Sequence, residues 1–330
     1  MIKVYSNYYG GSTDITSYCK SVQWSGDKTQ CARRVDITLA YAIFDTNQPK
    51  TQISPGTIVW VVDDTADEIF RGVVFDRSIN SNQELKFTAY DFLIYFLKSK
   101  MSFNFTNMSP EAIAAKVCGE VNVPVGNLAS TGLSLDLIAA NKTLYDIIMQ
   151  AYSFASLSNG KQYFPTMSGG NLNVIEKGQN LINFTVDPYV NIDNSEYSDN
   201  IDTMINKVKV YKSKEDFTGE IIENTDWQNS YGILQNVYTV SKNKDTTVEA
   251  SLLLKGVEQQ LVTDVVGNVN VITGTAVKTH IFYVNVLQDA TWYVDGDVHT
   301  WEIATGKYTM RLTLESQNIM DLKGGKVDDG

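Results

Sequence analysis

The chain carries two histidines, His280 and His299, and three cysteines, Cys19, Cys31 and Cys118. A zinc site needs three or four His, Cys, Asp or Glu ligands at suitable spacing. The stretch "DGDVHTW" sets Asp295, Asp297 and His299 at alternate positions. On a strand, alternate positions share one face. The ordinary reading of such a stretch is a solvated turn or strand edge, and no metal site is expected there.

The other chemistry-bearing patterns are missing. The three cysteines form no C-x-x-C, and their number is odd. A disulfide framework is therefore not expected, and the usage fits a reducing compartment with buried or half-buried thiols. No G-x-S-x-G elbow and no glycine-rich phosphate cradle is present. The acids Asp187, Asp193, Glu196, Asp199 and Asp202 lack the calcium-loop pattern. Thirty-eight acids always permit some carboxylate pair, but nothing singles one out. No catalytic, cofactor-binding or metal-ligating residue is assigned, no cofactor is expected, and the chain does not read as an enzyme.

Composition narrows the class. Apolar content of 43% and charged content of 20% over 330 residues predict a sizeable core and more than one domain. Net charge is −11, and the longest basic cluster is "KSK" at Lys98–Lys100. Phosphate contacts need clustered Lys and Arg, so direct nucleic-acid binding is not expected. The N-terminus shows no apolar signal region. The longest apolar run, "FLIYFL" at Phe92–Leu97, is too short to span a bilayer.

Elements follow from the period. "RRVDITLAY" alternates Val35, Ile37, Leu39 and Tyr41 against polar neighbours, the pattern of a half-buried strand. Ile58–Val62 is a continuous apolar run, which predicts burial on both faces. "FRGVVFDRSINSNQELKFTAYDFL" and, near the other end, "TWYVDGDVHTWEIATGKYTMRLTLESQNIM" both read as hairpins, which suggests an internal duplication. In the middle the period lengthens. Ser109, Pro110 and Glu111 signal a helix start, with Ile113, Val117 and Val121 on one face. Thr143 and Asp146 resemble a capping box for a second helix. Thr246 and Glu249 would cap a third, with Ala250, Leu253, Leu254, Val257 and Leu261 as its apolar face.

Five segments in order resemble a known family. They are "VQWSGDKTQCARRVDITLAY", "ELKFTAYDFLIYFLKSK", "MSPEAIAAKVCGEVNVPVG", "NKTLYDIIMQAYSFASLSNGKQY" and "NLNVIEKG". The resemblance is to tail hub proteins of PBSX-like prophages, which belong with the baseplate hub of contractile tails, the late-control protein and the hub half of the type VI secretion spike. It covers most of the chain and is strongest over residues ~20 to 180. It implies a mainly β (α+β) fold with two similar small β-barrel domains and an α+β insert, in a trimer-forming protomer. It implies a structural role as a homotrimeric symmetry adaptor between a six-fold tail tube and a three-fold spike. Implied partners are two further copies, the tube and spike proteins, other baseplate proteins and the tape-measure protein. Implied localisation is synthesis in the bacterial cytoplasm and assembly into the tail baseplate. No wall-cutting or spike domain of the kind some members carry is visible. The competing reading is a carbohydrate- or receptor-binding β protein of the same particle. The expected domains are 1–100 (first β-barrel), 101–182 (α+β), 183–206 (acidic connection), 207–322 (second β-barrel with one helix) and 323–330 (flexible tail).

Overall fold

Alternating apolar and polar residues build the first unit of the computed structural model, which describes residues 2–7, 11–29, 31–45, 47, 52–240, 246–251 and 253–323. Its strands are β1 (Lys3–Ser6), β2 (Thr13–Asp14), β3 (Cys19–Asp27), β4 (Arg34–Ala40), β5 (Ile58–Val62), β6 (Glu68–Asn80) and β7 (Glu84–Asp91). They are ordered β3-β4-β7-β6-β5-β1-β2. Val22, Trp24, Val35, Ile37, Leu39, Leu85 and Phe87 fill the core on one face. Strand β5 buries only Val59 and Val61. Its other face carries Trp60, stacked on Tyr5 with ring centroids 5.6 Å apart. The expected burial on both faces is thus corrected to one. An aromatic ring on the open face keeps the run apolar without a second layer.

The middle unit contains α1 (Leu93–Lys98), β8 (Lys100–Met108), α2 (Pro110–Glu120), β9 (Val125–Leu128), β10 (Leu135–Thr143), α3 (Leu144–Asn159), β11 (Tyr163–Ser168) and β12 (Asn171–Glu176). The expected caps are in place. Ser109 Oγ accepts from the Ala112 amide, and Thr143 Oγ1 accepts from the Asp146 amide at 3.0 Å. Gly160 ends α3 at a φ of 72°, a conformation that favours glycine. Ile113, Val117, Leu144, Ile147, Ile148 and Tyr152 pack into one core. Removing the α3 cap with Thr143→Ala is expected to cost about 1 kcal/mol, read as a lower denaturant midpoint at unchanged slope.

The third region holds β13 (Leu181–Val186), β14 (Ile192–Asn200), β15 (Lys207–Tyr211), β16 (Phe217–Glu223), α4 (Thr225–Tyr231), β17 (Gln235–Thr239), α5 (Thr246–Ser251), β18 (Glu258–Val266), β19 (Ala276–Thr279), β20 (Ala290–Glu302) and β21 (Lys307–Glu315). Six of these strands run β14-β18-β21-β20-β19-β13. In chain order that repeats the first unit, β3-β4-β7-β6-β5-β1. The strand junctions repeat in detail. Gly56 N donates to Val74 O and Val74 N to Thr57 O; Gly274 N donates to Val294 O and Val294 N to Thr275 O. Gly56 and Gly274 both have positive φ, 92° and 96°. Both hairpins are irregular at matching places, between Val74 and Asp76 and between Val294 and Gly296. One difference is that β13 runs parallel to β19, whereas β1 is antiparallel to β5. Strand β20 pairs with β3, so both units share one curled 13-stranded sheet.

Three expectations are corrected here. Residues 183–206, expected as a connection, contain most of β13 and all of β14, which pairs along its length with β18. Its polar composition suits an edge strand, which avoids aggregation by carrying charge. Residues 207–239 do not join the second large unit. They form a separate three-stranded sheet, β16-β15-β17, with α4, and Val208 and Val210 pack on Ala250. The third helix stops at Ser251, and Leu261 belongs to β18, where Leu261, Thr263 and Val265 are buried at period two. The helical spacing therefore joined two elements. The side chain of Glu249 and the tail 324–330 lie outside the described residues.

Candidate functional site

The stretch expected as a solvated loop is the middle of the central strand β20. Asp295, Asp297 and His299 are buried at 2%, 1% and 0% exposure. They sit at the seam where the first unit, the middle unit and the C-terminal segment meet the second unit. Each finds a partner far away in sequence, which local pattern could not reveal.

Asp297 accepts from both terminal guanidinium nitrogens of Arg33, Nη1 at 2.8 Å and Nη2 closer still. It also accepts from the Thr273 amide and hydroxyl, both at 2.7 Å. Burial alone would push this carboxyl up. The Arg33 charge and hydrogen bonds, with His299, instead hold it well below the usual carboxylate range. Arg33 lies over the Trp24 ring, 4.0 Å from its centroid. His299 Nε2 faces two acceptors, Val271 O at 3.1 Å and Asp297 Oδ2 at 3.2 Å, so Nε2 carries a proton. Nδ1 lies 2.8 Å from the Tyr308 hydroxyl.

Asp295 takes two lysines. Lys28 reaches it from the end of β3 and also bonds Glu315 at 2.7 Å. Lys177, just after β12, lies 2.7 Å from Asp295 and donates to Ile319 O at 2.8 Å. Burial pulls the Lys177 ammonium down, although Asp295 opposes it. Beyond Ile319 the chain returns to the middle unit. Met320 joins its core, the Tyr145 hydroxyl donates to Asp321 at 3.0 Å, and the Lys323 amide donates to Ser153. Asp91, at the end of β7, accepts from the Arg33 and Leu93 amides at 3.1 and 3.0 Å. Among the described residues no group of three or more His, Cys, Asp and Glu could hold a metal. The charges interlock units.

The cysteines are buried and free of disulfides. Burial pushes the Cys19 and Cys118 thiols up to about 12. Thiolate is the reactive form. The native chain is therefore expected to leave all three thiols unmodified by an aromatic disulfide reagent over minutes, and to titrate three in urea. Rapid native labelling would contradict the burial.

The outer surface offers apolar contacts. Tyr189 and Phe282 stack with centroids 5.3 Å apart, and Tyr283 meets Phe282 edge-on. All three are more than half exposed. No helix among the described residues is long and apolar enough to cross a membrane.

This architecture is that of phage tail proteins. The 43 kDa tail protein of prophage MuSo2 from Shewanella oneidensis superposes with a TM-score of 0.73 at 11% identity, covering 95% of this chain and 98% of that one. A component of the E. coli type VI secretion system, described as structurally similar to the T4 bacteriophage tail proteins gp27 and gp5, gives 0.54 at 9% identity over 91% of this chain and 74% of that one. The chain belongs to the YqbQ-like family, whose profile matches residues 22–315. It is 27% identical over 314 residues to the phage-like element PBSX protein XkdQ of Bacillus subtilis, covering 91% of this chain and 93% of XkdQ.

Proposed function

We propose that this chain is a structural, non-enzymatic hub of a phage or phage-like contractile tail. Three copies form an adaptor that joins a six-fold tube to a three-fold spike. The observation that carries the reading is the repeated unit: one strand order, one pair of glycine-threonine junctions and one hairpin irregularity, twice in one sheet. Three copies of a duplicated unit present six similar surfaces to one neighbour and three to the other, and closed symmetry is what oligomers favour. The kinship with XkdQ and the fold shared with tail and secretion-spike proteins support it. The buried interlock suits a part that carries load, because the first and middle units are both tied to β20 of the second.

The face of the large sheet turned from the cores bears Asp36, Glu84, Glu196 and Asp264 beside Arg34, Lys86 and Arg311. We read it as the lining of the bore, whose excess of acids would keep DNA or a tape-measure protein from sticking. Cryo-electron microscopy of the particles tests the reading. Three copies between tube and spike are expected. Six or more copies at the periphery or on fibres would move the assignment to receptor binding. The exposed Tyr189–Phe282 stack favours that second reading, since such platforms stack on sugars; binding of the isolated chain to cell walls would be its signature.

A further inference from the structure

The two large units are alike, but their free edges are not equally covered. Strand β20 is covered on its outer edge by β3, from Gly296 to Glu302. Strand β6 is its counterpart in the first unit. Among the described residues β6 pairs with β5 no further than Val73, and Asp76, Arg77, Ser78 and Ile79 are exposed in succession. Strand β14 is the counterpart of β3. Among the described residues it pairs only with β18, and Ser198, Asp199 and Asn200 are exposed. The described residues thus leave open one edge like β20 and one edge like β3.

We infer that a second copy of this chain fills the gap, its β14 pairing antiparallel with β6 of the first as β3 pairs with β20. This rests on the trimeric hub reading and gives it residues. The register follows from pairings within one chain. The matching irregularities set Arg77, Ser78 and Ile79 on Asp297, Val298 and His299. The pairings of β4 with β7 and of β18 with β21 set Val35 on Leu261, and hence Trp24, Ser25 and Gly26 on Tyr197, Ser198 and Asp199. Within the chain, His299 faces Trp24, Val298 faces Ser25 and Asp297 faces Gly26. Between copies, Ile79 then faces Tyr197, Ser78 faces Ser198 and Arg77 faces Asp199.

The side chains suit this register. Ile79, 44% exposed, meets the ring of Tyr197 where His299 meets Trp24 at 5.0 Å. Arg77 meets an acid, and opposite charges directly across a strand pair attract. Arg77 Nη1 already bonds Ile53 O at 2.5 Å, which holds it at the edge. Backbone shape fits as well, since the junction beside Val74 has the hydrogen bonds of the junction beside Val294, where β3 is accommodated. Two complementary but different edges make a head-to-tail contact, the type that closes into rings.

The test uses the full chain with Ser78→Cys and Ser198→Cys together, oxidised with copper phenanthroline and run without reductant. Covalent dimers and closed trimers are expected from the double variant. Neither single variant should give closed trimers, nor should Asp76→Cys with Glu196→Cys, which lies out of register. Arg77→Asp should lower the yield several-fold, and adding Asp199→Arg should restore it. An amine-reactive cross-linker separates the two ideas. Trimers with that reagent but none through Ser78→Cys and Ser198→Cys would overturn the strand pairing and leave the trimeric hub standing. Monomers in both would overturn both.

Discussion

Asp297→Ala is expected to lower the unfolding free energy by about 3–5 kcal/mol, the usual cost of leaving one partner of a buried ion pair alone. The loss is not that of one contact. Arg33 would keep a buried charge without its carboxylate, and the Thr273 amide and hydroxyl would lose their acceptor. A second variant separates charge from packing. Arg33→Met with Asp297→Leu removes both ions, and replacing a buried pair by apolar residues of similar volume is often neutral or better. The double variant should therefore be more stable than Asp297→Ala in urea unfolding. If the two unfold at the same midpoint, the cost lies in the shape of the seam and the uncompensated charge is not its cause.

Stability at mildly alkaline pH should be limited by Asp91. Burial pushes its carboxyl from 3.8 up to about 7, against the amides of Arg33 and Leu93 and the Arg33 charge. The folded pKa lies above the unfolded one, so the folded chain keeps a proton that the unfolded chain has released. The contribution of Asp91 is full below pH 3.8 and is lost as pH rises through about 7. Over that span one pKa unit is worth about 1.4 kcal/mol, so the swing is at most about 4 kcal/mol. Asp91→Asn cannot titrate. The stability difference, wild type minus Asp91→Asn, should fall between pH 5 and pH 8. Asp297 has the opposite sign: its folded pKa is depressed, so its contribution is present above pH 3.8 and is lost as pH falls. Relative to wild type, the Asp297→Asn difference should thus change below pH 3.8 and the Asp91→Asn difference between pH 3.8 and about 7, with opposite signs. A pH-independent difference for Asp91→Asn over that range would show that its carboxyl is already ionised in the folded chain, as it is in the unfolded one.

Much of the fold was readable because its signals are local. Ser109 and Thr143 start helices through their own hydroxyls, three residues from the amide each one caps. Val35, Ile37 and Leu39 mark a strand by alternation alone. The repeat was suggested by two hairpins, but its sharper trace is shorter: "GTIV" at Gly56–Val59 and "GTAV" at Gly274–Val277, the junctions that hold β6 and β20. The third helix was misread because apolar spacing is ambiguous where an element changes. Ala250 lies in a short helix and Leu261 in a strand, and only the partners of β18 decide where one ends.

The sequence by itself determined the β-rich class, the two capped helices, the hairpins and the kinship to tail hub proteins, since each depends on residues close in the chain or on a run of segments in order. The tertiary structure alone decided the fate of Asp295, Asp297 and His299. Their types suggest solvent, and the charged partners of the two aspartates, Lys28, Arg33 and Lys177, lie more than a hundred residues away. It also decided which strand edges are covered and which are open. A strand's sequence specifies its two faces, but its edges are backbone, alike in every residue except proline, so only the folded sheet shows that, among the described residues, part of β6 and one edge of β14 have no strand partner.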